Sequence, residues 1–187
     1  MEIRNILKDN PIIAAAQAEN LHSAVKSKAC AVLLMYGKLI EILDDNFQVN
    51  NKEKPIFIHM DLLKGLSSDS ESLKFLNKYV KPAGIVSTKS SVIRSAKKTG
   101  LITIQRIFLI DTKSFDNAID SIKDCNPDAI EIMPGIAPAI IPAFKERISQ
   151  PIIIGGLISE AEQIHNALKA GADGVSLSAA KLWNLDC

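Results

Sequence analysis

The stretch that most restricts the fold is residues 151–178, PIIIGGLISEAEQIHNALKAGADGVSLS. Pro151 to Ile154 form an apolar run too short for a helix and rich in β-branched side chains, which predicts a buried strand. Gly155-Gly156 ends it, and Ser159 with Glu162 three residues on has the spacing of a capping box that starts a helix. Ile164, Ala167 and Leu168 give that helix one apolar stripe, and Gly171 supplies a left-handed stop. Gly174 to Leu177 then reads as a second strand, with Val175 and Leu177 on one face and Ser176 and Ser178 on the other. Two strands joined through a helix close naturally as a parallel βαβ unit.

The same alternation covers the chain. Strands are predicted to begin near Ile12, Ala31, Ile56, Ala83, Ile102, Ala129, Ile152 and Gly174, each pair separated by one helical pattern, with residues 1–10 as a polar lead-in. Eight such repeats predict a compact (βα)8 TIM-type barrel in a single domain over 1–187; an open flavodoxin-like sheet is the runner-up because the chain is short for the barrel. Further helices are expected over 38–46, after a box formed by Ser68 and Glu71, and after Thr112 or Ser114; Pro142 must delay or bend the one near 140–148. With 47% hydrophobic residues in 187 there is material for one core. Twenty-two basic against twenty-one acidic residues give +1, so no global field points to nucleic acid. Cys30, Cys125 and Cys187 lack metal spacing, and no apolar segment approaches ~18 residues. These features predict a reduced cytoplasmic setting, no membrane, no metal and no cofactor.

In a barrel, inward residues at strand ends build the site. PIFIHMD (55–61) places Phe57, His59 and Asp61 inward; the competing reading of His59 is a satisfied core histidine. LITIQRIF (101–108) is read with Ile102 and Ile104 outward, Thr103 and Gln105 inward, and Arg106 at or beyond the strand end. DAIEIM (128–133) puts Glu131 inside, where it either serves a ligand or neutralises Arg106; we take the first. Gly155, Gly156, Ser176 and Ser178 form a candidate phosphate seat, backed by the helix turn after Ala179. His59, Asp61, Gln105, Arg106 and Glu131 would then meet hydroxyls, so the ligand read from the residues is a small phosphorylated polyol. An enzyme on this frame would use Glu131 or Asp61 as acid or base on a sugar or triose phosphate; no lysine falls on an inner strand position for Schiff-base chemistry.

The motifs HMDLLKG (59–65), KPAGIVSTK (81–89), QRIFLIDT (105–112), IEIMPGI (130–136), GGLI (155–158) and KLW (181–183), in this order, closely resemble the glycerol-3-phosphate responsive antiterminator family from about Pro11 to Trp183. The resemblance implies a bacterial regulator on a TIM-type barrel. Its effector would be glycerol 3-phosphate, and its partner the leader mRNA of glycerol-utilisation operons, without DNA. Ser176-Leu177-Ser178 stands where a threonine-rich version is expected, keeping the hydroxyls. Lys64, Lys89, Arg94 and Lys113 are the candidate RNA contacts, on a basic surface completed when ligand orders the rim loops; homo-oligomerisation is left open.

Overall fold

The computed structural model describes residues 2–8 and 10–187. Nine parallel strands form one sheet: β1 (Ile12–Gln17), β2 (Ala31–Lys38), β3 (Ile56–His59), the two-residue β4 (Leu63–Lys64), β5 (Gly84–Ser87), β6 (Ile102–Phe108), β7 (Ala129–Met133), β8 (Ile152–Gly155) and β9 (Gly174–Leu177). β1 pairs with both β2 and β9, so eight strands close into a barrel while β4 only widens the margin of β2. The helices are α1 (Ile3–Leu7), α2 (Leu21–Lys26), α3 (Leu39–Ile42), α4 (Asp45–Glu53), α5 (Ser70–Phe75), α6 (Ser90–Lys98), α7 (Thr112–Cys125), α8 (Ile141–Lys145) and α9 (Ala161–Lys169). Pro142 sits in the first turn of α8, where its missing N–H costs nothing, so the helix starts late rather than bending.

Strand alternation divides the interior into two cores. One face of each strand packs on the helices, as with Ile56 and Ile58, Ile130 and Ile132, Ile152 and Ile154. The other fills the lumen with Ile13, Leu33, Phe57, Val86, Ile104, Ala129 and Ile153. The bottom of the lumen is stopped by Ile3, Ile6 and Leu7 of α1, and Arg4 donates to the Ser149 carbonyl at 2.6 Å. Residues 3–7 are therefore a plug, not the polar lead-in expected; three apolar residues at i, i+3 and i+4 make an amphipathic turn despite the polar company.

Other expectations shift for local reasons. β2 runs to Lys38, and the principal helix that follows is α4, which buries Phe47. The helix caps fall one residue later than expected or on a neighbour: Asp69 accepts from Ser72 N–H, Asp111 from Ser114 N–H, and Glu160 forms the box with Gln163. β3 ends at His59, so Asp61 lies in a single 3₁₀ turn beyond it. The phase of β6 is inverted: Ile102 and Ile104 fill the lumen, while Thr103 and Gln105 face outward. Outside, the Thr103 hydroxyl donates to Asp128 at 2.8 Å, and the Gln105 amide donates to Ser121 at 2.7 Å and accepts from Cys125 on α7. Arg106 is consequently inside the barrel and not beyond its end.

Candidate functional site

Above the apolar floor the lumen ends in one polar layer. The inverted phase of β6 and the Ile-Glu-Ile alternation of β7 bring Arg106 and Glu131 directly opposite each other in the ladder. Arg106 Nε donates to Glu131 Oε2 at 2.7 Å, with the two side chains 4% and 1% exposed. Ser176 on β9 donates its hydroxyl to Glu131 Oε1, and Arg106 Nη2 points at Met35 Sδ, 3.4 Å away. Both carboxylate oxygens are thus engaged. In a medium this dry the pair's attraction is set against a desolvation cost of several kcal/mol per ion, and the hydroxyl of Ser176 supplies part of the compensation.

Gly155 completes the layer from β8, paired with Ser176. A Cβ here would overlap Ser176 Oγ and come within 2.9 Å of Glu131 Oε1, so a glycine is required for the cluster to close. Gly156 has another role. Its φ of +80° and the +62° of Leu157 make two consecutive left-handed residues at the mouth of the barrel. A leucine held there costs about 1–2 kcal/mol, the kind of strain that persists where the surroundings fix a loop for a purpose. Leu157, Ile158, Ser178 and Ala179 make no backbone N–H hydrogen bond among the described residues. Ser178 is exposed just past the end of β9, and the turn behind it is a three-residue 3₁₀ segment, Ala180–Leu182, too short to carry an appreciable dipole.

His59 enters the same layer from β3. It is 3% exposed, and its Nδ1 is buried without a hydrogen-bond partner. Burial, with the Arg106 guanidinium adding to it against the pull of Asp61 and Glu131, pushes the imidazole down to about 4, so it is neutral at pH 7. It is therefore not a satisfied core histidine. Asp61 looks away from the lumen: it accepts from the Ser87 hydroxyl at 2.8 Å and from the Thr88 N–H and hydroxyl at 2.7 and 2.9 Å. Burial acts to raise its carboxyl, but these donors win and hold it below the ordinary aspartate value. It staples the loop after β5; Ser87 and Thr88 were the unrecognised partners, visible in the motif KPAGIVSTK.

The structure thus brings His59, Arg106, Glu131, Gly155 and Ser176 together, leaves Gly156 and Ser178 on the mouth, places Asp61 in a loop-fixing role, and removes Gln105 to the helix layer. Lys64 is exposed in the two-residue β4, and Lys89 and Lys113 are exposed at the starts of α6 and α7. Arg94 is on the outer wall, paired with Asp124 of α7, because α6 turns that face away from the rim. Burial pushes the Cys30 and Cys125 thiols up to about 12 and about 11, which removes them as nucleophiles near neutrality. Among the described residues no helix is long and apolar enough to cross a membrane.

A closed parallel (βα)8 barrel whose polar lumen groups gather at the C-terminal end is a TIM-type barrel with its polar cluster where this fold carries its sites. The chain belongs to the glycerol-3-phosphate responsive antiterminator family, whose family model matches residues 12–183. The glycerol uptake operon antiterminator regulatory protein of Listeria monocytogenes superposes with a TM-score of 0.88 at 29% identity, covering 94% of this chain and 96% of that one. An uncharacterized Escherichia coli K12 protein, YgcP, is 35% identical over 99% of this chain and 97% of its own length. The N-acetylmannosamine-6-phosphate 2-epimerase of Clostridium perfringens covers 96% of this chain and 91% of its own at a TM-score of 0.72, but at 12% identity it shares the fold alone.

Proposed function

We propose that the protein is a glycerol-3-phosphate-sensing transcription antiterminator that acts in the cytoplasm on the leader RNA of glycerol-utilisation operons. The observation that carries this reading is membership of the antiterminator family across nearly the whole barrel. Chemistry at the mouth supports it. The left-handed Gly156-Leu157 turn, the N–H groups around Ile158 and Ala179, and the Ser178 hydroxyl receive the phosphate; the glycerol end descends toward His59 Nδ1 and the Arg106–Glu131–Ser176 cluster. Asp61 shapes the neighbouring loop and does not bind ligand directly.

A sensor differs from an enzyme in what its polar groups are free to do. A general base is placed to meet a substrate proton, whereas Glu131 already accepts from Arg106 and from Ser176 and Asp61 accepts from three donors of the loop after β5. His59 is free to make a hydrogen bond but is too weak a base, at about 4, to drive proton abstraction at neutral pH. These groups suit binding. The test is an electrophoretic mobility shift of a glycerol-operon leader transcript with and without glycerol 3-phosphate, alongside thermal shifts with glycerol 3-phosphate and with glycerol. Retention of RNA that depends on glycerol 3-phosphate, and a thermal shift much smaller for glycerol, is the expected result. Turnover of a triose or sugar phosphate without ligand-dependent RNA retention would refute it.

A further inference from the structure

The C-terminal rim carries an unusual share of the protein's exposed apolar surface. Of nine large hydrophobic side chains exposed among the described residues, five lie near the C-terminal end of a strand or in the loop directly after it: Tyr36 near the end of β2 is 51% exposed, Phe108 at the end of β6 is 55% and Ile110 just beyond it is 89%, with Ile136 and Leu157 following β7 and β8. Between them in the barrel order stand β3 and β5, whose following segments present Lys64 and Lys89; Lys113 on the first turn of α7 continues the row. These three lysines make no ion pair among the described residues, whereas Arg94 and Lys97 on the outer wall are held by Asp124 and Asp128. The short β4 has a visible consequence: it pairs Lys64 beside Lys38, and these with Tyr36, Glu19 and Glu41 line a groove of about 150 Å³ in which Glu41 holds Lys38 at 3.3 Å and Lys64 stays without an ion pair among the described residues.

We propose that this arc, from Tyr36 across Lys64, Lys89 and Lys113 to Phe108, is the face that holds single-stranded leader RNA, with bases stacked on the two aromatics and phosphates met by the lysines. The proposal rests on the antiterminator reading and adds to it the place and the manner of contact. Exposed aromatic faces flanked by unpaired cations are the arrangement that binds unpaired nucleotides, because every base offers a π-face and every linkage a charge. A second copy of the chain fits this arc less well. A two-fold interface apposes the same patch on both subunits, and it would bring one row of unpaired lysines against another.

The experiment is a fluorescence anisotropy titration of the full chain, at saturating glycerol 3-phosphate, with a fluorescein-labelled glycerol-operon leader transcript. Tyr36→Leu keeps the aliphatic contacts without the π-face, and Phe108→Ala removes an exposed ring; each is expected to weaken binding roughly 5- to 150-fold, the range that loss of one base stack produces. Lys89→Ala is expected to lower the slope of log K against log salt by about 0.7, and Arg94→Ala to leave both affinity and slope unchanged. Melting curves confirm that the variants fold. If wild type binds and the rim variants bind within twofold of it, this inference is overturned while the antiterminator reading stands. If wild type binds no leader RNA, both fall. Rim variants that convert a dimer to a monomer in sedimentation but keep RNA affinity would overturn it in favour of an interface between copies.

Discussion

Replacing Glu131 with glutamine tests whether the lumen holds a true buried ion pair. The amide has the shape of the carboxylate and can still accept one hydrogen bond, so packing is preserved and only the charge goes. Arg106, 4% exposed at its side chain, would then be a guanidinium without a counter-charge, facing a histidine it already opposes. Leaving one member of a buried pair uncompensated costs about 3–5 kcal/mol. For a chain of this size that corresponds to a melting temperature lower by roughly 6–20 °C. Removing both charges in Arg106→Met/Glu131→Met should recover most of the loss, to within about 1–2 kcal/mol of wild type, because only the acceptor of Ser176 is then missing. Both variants should lose the thermal response to glycerol 3-phosphate, so stability and ligand response separate in the double variant. Urea unfolding followed by circular dichroism at pH 7.5, with m-values checked for equality, measures the difference. A single-variant loss below about 1 kcal/mol, or a double variant as unstable as the two singles added together, would refute the description of the lumen as a dry, mutually neutralised pair.

His59 is neutral and buried, so its folded value of about 4 lies below the ordinary 6.5 and the unfolded chain takes up the proton first. Stability should therefore fall as pH drops from about 6.5 to about 4, by up to roughly 3 kcal/mol, and His59→Gln should flatten that window in urea titrations at stepped pH. Leu7→Ala, by opening the plug under the lumen, should cost about 2–5 kcal/mol, whereas a dispensable N-terminal segment would cost almost nothing in the same unfolding assay. Gly156→Ala meets only Met133, at 3.6 Å, so its penalty is conformational, about 1–2 kcal/mol with or without ligand; a melt unchanged from wild type would show that the turn relaxes.

Strand order and count were readable because each strand is a short β-branched run bounded by turn residues, and β7 and β9 also declared their inner face through a lone polar residue between apolar ones. β6 did not. Its Ile102 and Ile104 are apolar because the lumen floor is apolar, and its outer Thr103 and Gln105 are polar because Asp128 and Ser121 wait for them in the helix layer. In a strand buried on both faces, period-two alternation gives no sign of which face is inside. The partners that settle it lie 25 and 16 residues further on, beyond the reach of a local pattern. α1 is different: Ile3, Ile6 and Leu7 carried the stripe openly, and only the polar neighbours hid it. Asp61 illustrates a third limit, since two extra residues of assumed strand converted a loop staple into an apparent lumen carboxylate.

The phase of β6 also decides what the site can be. With Gln105 inside, the lumen would hold a neutral amide near Glu131, and that carboxylate would be an unpaired acid in an apolar tube, the environment that raises a carboxyl toward a useful base. With Arg106 inside instead, the same glutamate is bound at one oxygen by a guanidinium and at the other by Ser176, and its chemistry is spent on holding three strands in register at the barrel's mouth. At the base of this mouth His59 Nδ1 is the buried side-chain nitrogen left without a partner among the described residues. Under the antiterminator reading such a mouth receives a polar effector, and the exposed lysine arc lies on the rim around it. A polar cluster held by its own hydrogen bonds beneath a rim of exposed lysines is what the proposed ligand-gated regulator requires of a barrel that in other proteins performs catalysis.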